Sequence, residues 1–192
     1  MPCDDQKYTP FPQDILVDFR LLIHQIKDLD GEDERNNCIY QDFLSRCLEN
    51  AATSLSTPQK ASVLESNVVR CILLGHILFL LTDRPSMSVS GFYSQSTAMA
   101  LRRCLETGWG ASGDSVIWSP DVLCWLLFNG AITQPVKSPL YEWYVSRLVE
   151  FTRTQRLQGF DQLEYMLRRV VWTEEYFGSS CRSVGKEIFS DT

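Results

Sequence analysis

The apolar residues of this 192-residue chain recur at helical spacing along most of its length, and this periodicity constrains the fold more than any other feature. Ile15, Phe19 and Leu22, for example, are spaced by four and three residues and so share one face of a helix. No segment alternates apolar and polar residues over the length of a strand. The sequence therefore predicts an all-α fold, an irregular multi-helix bundle of about seven helices.

Start and end signals give approximate bounds for these helices. A Ser-Pro or Thr-Pro pair opens three of them, because Ser and Thr cap helices well and Pro suits the first helical position. In the last one, Asp161 and Glu164 predict an acidic capping box, and Phe160 is expected to pack against Tyr165. The predicted helices cover about residues 13–29, 39–51, 57–82, 92–108, 119–132, 138–159 and 161–177.

Negative charge is concentrated at the beginning of the chain. The net charge is -6, and residues 1–50 hold eleven acidic and five basic residues. Five acids fall between Asp28 and Glu34, but Asp33 and Ile39 occupy the positions where a calcium loop needs Gly and Glu. Clustered Lys and Arg, which contacts to phosphate require, are missing. We therefore expect neither calcium binding here nor direct DNA binding by this chain.

Residues with catalytic or metal-binding chemistry are scattered. His24 and His76 lie in separate helical segments, and the seven cysteines contain no CxxC pair. Gly108–Gly113 matches GxGxxG, but a predicted helix precedes it where a dinucleotide site needs a strand. We expect no catalytic, cofactor-binding or metal-binding residue and hence no enzyme, although a Cys–His pair assembled by the fold stays open.

The thiols and the apolar segments bear on the location of the protein. An odd number of scattered cysteines is typical of reduced thiols in an intracellular protein. The most apolar stretch, Cys71–Leu81, is 11 residues long. A membrane span needs about 20 residues, so we expect a buried helix and no membrane association.

The candidate functional residues are large aromatic side chains and one glycine. Trp125, Trp143 and Trp172 lie on three of the later predicted helices, and Gly130 would let its helix pack closely against a neighbour. Core packing is the usual role of such residues. The alternative is a small-molecule pocket between helices, to which the same four residues would contribute.

Three apolar segments of the second half share a further pattern. The first is a Trp-containing helix that ends in a Gly-Ala pair, the second has an aromatic-Val-x-x-Leu core, and the third ends in Trp. These segments are Ser119–Ile132, Tyr144–Leu148 and Leu167–Trp172. With the helix from Arg70 to Thr82 before them, they resemble the C-terminal part of the fungal-specific transcription factor regulatory domain, over roughly residues 60–190.

The resemblance implies transcription regulation in the nucleus, through protein partners or a small-molecule effector. It carries no catalytic residues, and the zinc cluster that precedes the domain in this family needs six closely spaced cysteines that the sequence lacks. We expect a single domain over 1–192, with acidic helices in 1–57 and the resembling region in 58–192. The alternative is a standalone helical adaptor, or a small-molecule-handling protein such as an enzyme, on the same scaffold. A homodimer stays open.

Overall fold

The structure, a computed structural model, describes residues 63–83, 90–109, 119–172 and 174–189. Six helices and no strand lie within these ranges, so the all-α prediction is confirmed for them. They are α1 (Val63–Asp83), α2 (Ser90–Trp109), α3 (Pro120–Ile132), α4 (Pro139–Thr154), α5 (Phe160–Val170) and α6 (Glu174–Phe189). The two predicted helices before residue 57, His24 and the acidic loop lie outside the described residues, as does most of the GxGxxG segment.

Helix α3 lies at the centre of this part of the protein because it contacts each of the other five helices. Nine of its 13 residues are buried, which is expected of a helix that is apolar on all sides. Pro120 occupies its first turn, as predicted, whereas the side chain of Ser119 at the N-cap makes no capping hydrogen bond. None of the six described helices is long and apolar enough to cross a bilayer.

Helix α4 begins as the sequence predicts. The Ser138 hydroxyl oxygen accepts a hydrogen bond from the backbone N–H of Tyr141 at 3.2 Å, and Pro139 fills the first helical position. Both features satisfy or remove N–H groups that a helix start leaves without intrahelical partners. The buried face of α4, which includes Tyr144 and Leu148, packs against α3 and α6.

The last predicted helix is in fact two helices. The chain leaves α5 at Val171, whose backbone is extended at φ -146° and ψ 129°. This break buries two successive β-branched side chains, Val170 and Val171, which one straight helix would point in different directions. It also turns α6 back, so that Phe177 packs against Phe79 of α1 and Phe128 of α3. The prediction of one helix over 161–177 is therefore wrong.

The start of α5 differs from the prediction as well. The helix begins at Phe160, which places Asp161 inside the first turn and not at the cap, so the predicted capping box is wrong. Glu164 instead pairs with Arg168, one turn later, at 2.6 Å. Phe160 packs against Gly185 of α6, and Tyr165 is 65% exposed.

Candidate functional site

Trp125, the first candidate residue, belongs to the core. Its side chain is fully buried, and its ring makes an edge contact with His76 of α1, with 5.3 Å between the centroids. The close approach depends on Gly75, where a Cβ atom would lie 2.7 Å from Cζ3 of Trp125. Trp125 therefore fills the interface between α1 and α3.

Gly130 is the contact point between α3 and α4. The ring of Tyr144 occupies the space that a Cβ atom on Gly130 would take. The Tyr144 hydroxyl continues to α2, where it donates a hydrogen bond to the carbonyl oxygen of Ala98 at 2.7 Å. The expected role of Gly130 in close packing thus has a definite partner.

Trp143 lies next to Tyr144 on α4 but is only half-buried. The guanidinium groups of Arg102 and Arg147 lie 5.0 and 5.7 Å from its ring centroid, within the range of cation–π attraction. Both arginines also pair with acids on their own helices, Glu106 at 2.8 Å and Glu150 at 2.6 Å. The charges around Trp143 are therefore balanced locally.

Trp172 follows the break after α5 and is also half-buried. Its ring stacks on that of Phe177, with 5.2 Å between the centroids. The guanidinium group of Arg168, on α5, lies 4.6 Å from the centroid of the Trp172 ring. Two of the four candidate residues thus lie in the core and two lie beside surface arginines. None of the four lines the cavity described below.

His76 is buried next to Trp125, and burial lowers the pKa of its imidazole to about 3. The ring is therefore neutral near pH 7 and too weakly basic to act as an efficient general base there. Within the described part of the chain, no three His, Cys, Asp or Glu side chains are close enough to hold a metal ion.

The four described cysteines are free thiols. All are buried: Cys71, Cys104, Cys124 and Cys181. Burial raises the pKa of Cys124 above its ordinary value. A hydrogen bond with the neighbouring Cys71 thiol acts in the opposite direction at Cys104 and lowers its pKa to about 7. Cys104 is therefore more acidic than Cys71 and Cys124, although only 4% of the residue is exposed.

A cavity of about 650 Å³ lies where the C-terminal ends of α4 and α6 meet, and sequence reasoning missed it. Four apolar and four polar residues line it: Val149, Leu157, Ile188, Phe189, Thr152, Arg153, Arg156 and Gln158. We call it the arginine-rimmed cavity. Its volume is within the range of small-molecule sites. The one available sequence signal is the pair of arginines three residues apart, followed by Leu-Gln-Gly.

The described part of the protein is therefore all-α, with an aromatic core and an arginine-rimmed cavity at the ends of two helices. Comparison with known proteins adds no relative, since no protein-family model, curated protein or solved structure matches the sequence. The family resemblance therefore rests on the sequence segments alone.

Proposed function

We propose that the chain is the regulatory and interaction domain of a nuclear transcription regulator similar to the fungal-specific family, and that it reaches DNA through an attached or partner module. The contacts among the three resembling segments support this proposal. Tyr144 of the second segment packs on Gly130 of the first. Arg169 of the third forms an ion pair with Asp121 of the first at 3.2 Å. The packing of these distant segments into one unit is the observation that carries the proposal.

The pairing of surface arginines supports a role without direct DNA contact. Four arginines have carboxylate partners within the chain: Arg102, Arg147, Arg168 and Arg169. A phosphate-binding face needs cations that are available to displace counterions. Here these four cations already have partners on the protein, and the whole sequence has a net charge of -6.

Exposed apolar side chains support contacts with a protein partner, either another protein or a second copy of this chain. Among the described residues, the large apolar side chains with substantial exposure, between 43% and 65%, are Tyr93, Met99, Val136 and Tyr165. Tyrosine and methionine are enriched in protein–protein interfaces relative to the rest of the surface. These side chains are therefore the natural targets for substitutions that test partner binding.

Binding to a labelled DNA duplex tests the part of the proposal that concerns DNA. The full chain is titrated at two salt concentrations, with a basic DNA-binding domain as a positive control. We expect no binding at micromolar protein at either concentration. Tight binding that weakens steeply with salt would contradict the proposal, because it is the signature of phosphate contacts.

A small-molecule-handling protein is the second candidate function, and the arginine-rimmed cavity is the observation that favours it. Under the regulatory proposal the chain is not catalytic, since the described imidazole is neutral and the described thiols are buried. Turnover of a small molecule by the purified chain, lost on substitution of a cavity residue, would replace the regulatory proposal with this alternative.

A further inference from the structure

We propose that the arginine-rimmed cavity binds a small organic carboxylate with an apolar body, whose carboxylate group is held by Arg153 and Arg156. The inference comes from the cavity itself, and it does not depend on the proposed role in transcription. It assigns a ligand class and two binding residues to a site that the family resemblance does not indicate.

The inner surface of the cavity suits an apolar body. Ile188 of α6 is only 5% exposed, and Val149 of α4 and Leu157 lie with it among the lining residues. Contact with these side chains removes apolar ligand surface from water, which is the main favourable contribution to binding of such molecules. The volume of about 650 Å³ accommodates a fused two-ring compound.

The polar rim supplies positive charge. Among the described residues, no carboxylate forms an ion pair with Arg153 or Arg156, unlike the four arginines paired within the chain. Glu187, the acid adjacent to Ile188, instead accepts a hydrogen bond from the Tyr141 hydroxyl at 2.6 Å. Guanidinium groups bind carboxylates through two parallel hydrogen bonds, so an organic carboxylate matches this rim.

The backbone at Arg156 is the second observation. The N–H of Leu157 donates to the Thr152 carbonyl at 2.9 Å, and that of Arg156 donates to the Arg153 carbonyl at 3.1 Å. These two bonds form a Schellman motif, whose residue of positive φ is usually glycine. Here that residue is Arg156, with φ 56°.

Arg156 is therefore not the residue that stability alone would favour. The helix dipole accounts for a cation such as Arg153 in the last turn of α4, but glycine at position 156 would close the helix with less backbone strain. Residues held at positive φ concentrate at functional sites. Arg156 lies on the rim of the cavity at this strained position.

Calorimetric titration of the full chain with naphthalene-2-carboxylate tests the proposal, and the neutral naphthalene-2-carboxamide is the matched ligand. We expect saturable binding of the carboxylate, about tenfold tighter than binding of the amide. The double variant Arg153→Gln/Arg156→Gln should weaken carboxylate binding by about tenfold or more. Arg103→Gln, which removes an exposed arginine of α2 away from the cavity, should leave the affinity unchanged.

The variant Arg156→Gly distinguishes a role of this arginine in ligand binding from a role in the stability of the protein. Because glycine relieves the strain at positive φ, this variant should unfold at a higher temperature than the parent chain and yet bind the carboxylate more weakly. The proposal is overturned if the carboxylate does not saturate the protein below millimolar concentration. It is equally overturned if the amide binds as tightly, or if the folded Arg156→Gly and double variants keep the parent affinity.

Discussion

The ring of Tyr144 lies against Gly130, in the space that a Cβ atom at that position would fill. Its hydroxyl reaches the Ala98 carbonyl oxygen at 2.7 Å, so one side chain connects α4 with both α3 and α2. The close approach of these helices depends on the absence of a side chain at position 130. Each of these two contacts leads to its own prediction.

Gly130→Ala should destabilise the protein by about 1–2 kcal/mol, because overpacking at the Tyr144 ring outweighs the better helix propensity of alanine. Ser183→Ala, at an exposed position of α6, is the control. Urea unfolding of both variants measures the difference. Equal free energies of unfolding would contradict the role of Gly130.

Tyr144→Phe should lower the free energy of unfolding by about 1–2 kcal/mol, because it leaves the buried Ala98 carbonyl without this hydrogen bond. Tyr165→Phe serves as the control, since Tyr165 is 65% exposed. Thermal and urea unfolding should detect a loss in the first variant and almost none in the second. A Tyr144→Phe variant as stable as the parent would show that the bond contributes nothing.

The starts of α3 and α4 could be predicted from the local sequence, whereas the end of α4 at Thr154, predicted near Gly159, and the break after Val170 could not. Ser138-Pro139 and Ser119-Pro120 mark the starts of α4 and α3 because proline geometry, and at Ser138 also a capping hydrogen bond, act over a few residues. Across the break, Val170, Glu174 and Phe177 keep helical spacing, so periodicity alone predicts one helix. The competing influence is the burial of Val171 and Phe177 against distant helices, which a local pattern does not contain.

His76 should make the protein sensitive to acid. Burial lowers its pKa from 6.5 to about 3 in the folded protein, so the unfolded chain binds one more proton between these values. The stability that follows is present above pH 6.5 and is lost as the pH falls towards 3. Between pH 7 and pH 5, protonation of this one group in the unfolded chain should lower the free energy of unfolding by about 2 kcal/mol.

His76→Phe tests this expectation because it keeps an aromatic ring beside Trp125 but does not titrate. Unfolding free energies of parent and variant are measured at pH 7 and pH 5. The loss on acidification should be smaller in the variant by about 2 kcal/mol. Identical losses in the two proteins would show that His76 does not titrate between folded and unfolded states as described.

Cys104 should react differently from Cys124. Its pKa of about 7 predicts that alkylation of the folded protein by iodoacetamide accelerates between pH 6 and pH 8, while Cys124 stays protected. Peptide mass mapping follows each site. Cys71→Ala removes the hydrogen bond that lowers this pKa and should shift the alkylation profile of Cys104 to higher pH. An unshifted profile would contradict the coupling of the two thiols.

For the candidate site as well, the sequence shows which residue types are unusual but not which helix ends meet in the fold. The sequence singles out Trp125 and Gly130 because their residue types are unusual, and the structure places both in the core. The arginine-rimmed cavity depends on the meeting of two helix ends, at Thr154 and Phe189, that are 35 residues apart. Positive φ at Arg156 is likewise invisible in the sequence, where glycine would have been the expected signal.

The central claim, that this chain regulates transcription through contacts other than its own DNA binding, is tested most directly by a tethered reporter. The full chain is fused to a foreign DNA-binding domain, and its output is compared with that of the domain alone and of a fusion carrying Val136→Asp and Tyr165→Asp, two exposed positions. We predict that the parent fusion changes reporter output and that the charged variant, expressed at an equal level, changes it less. A folded parent fusion with the same output as the DNA-binding domain alone would contradict the account.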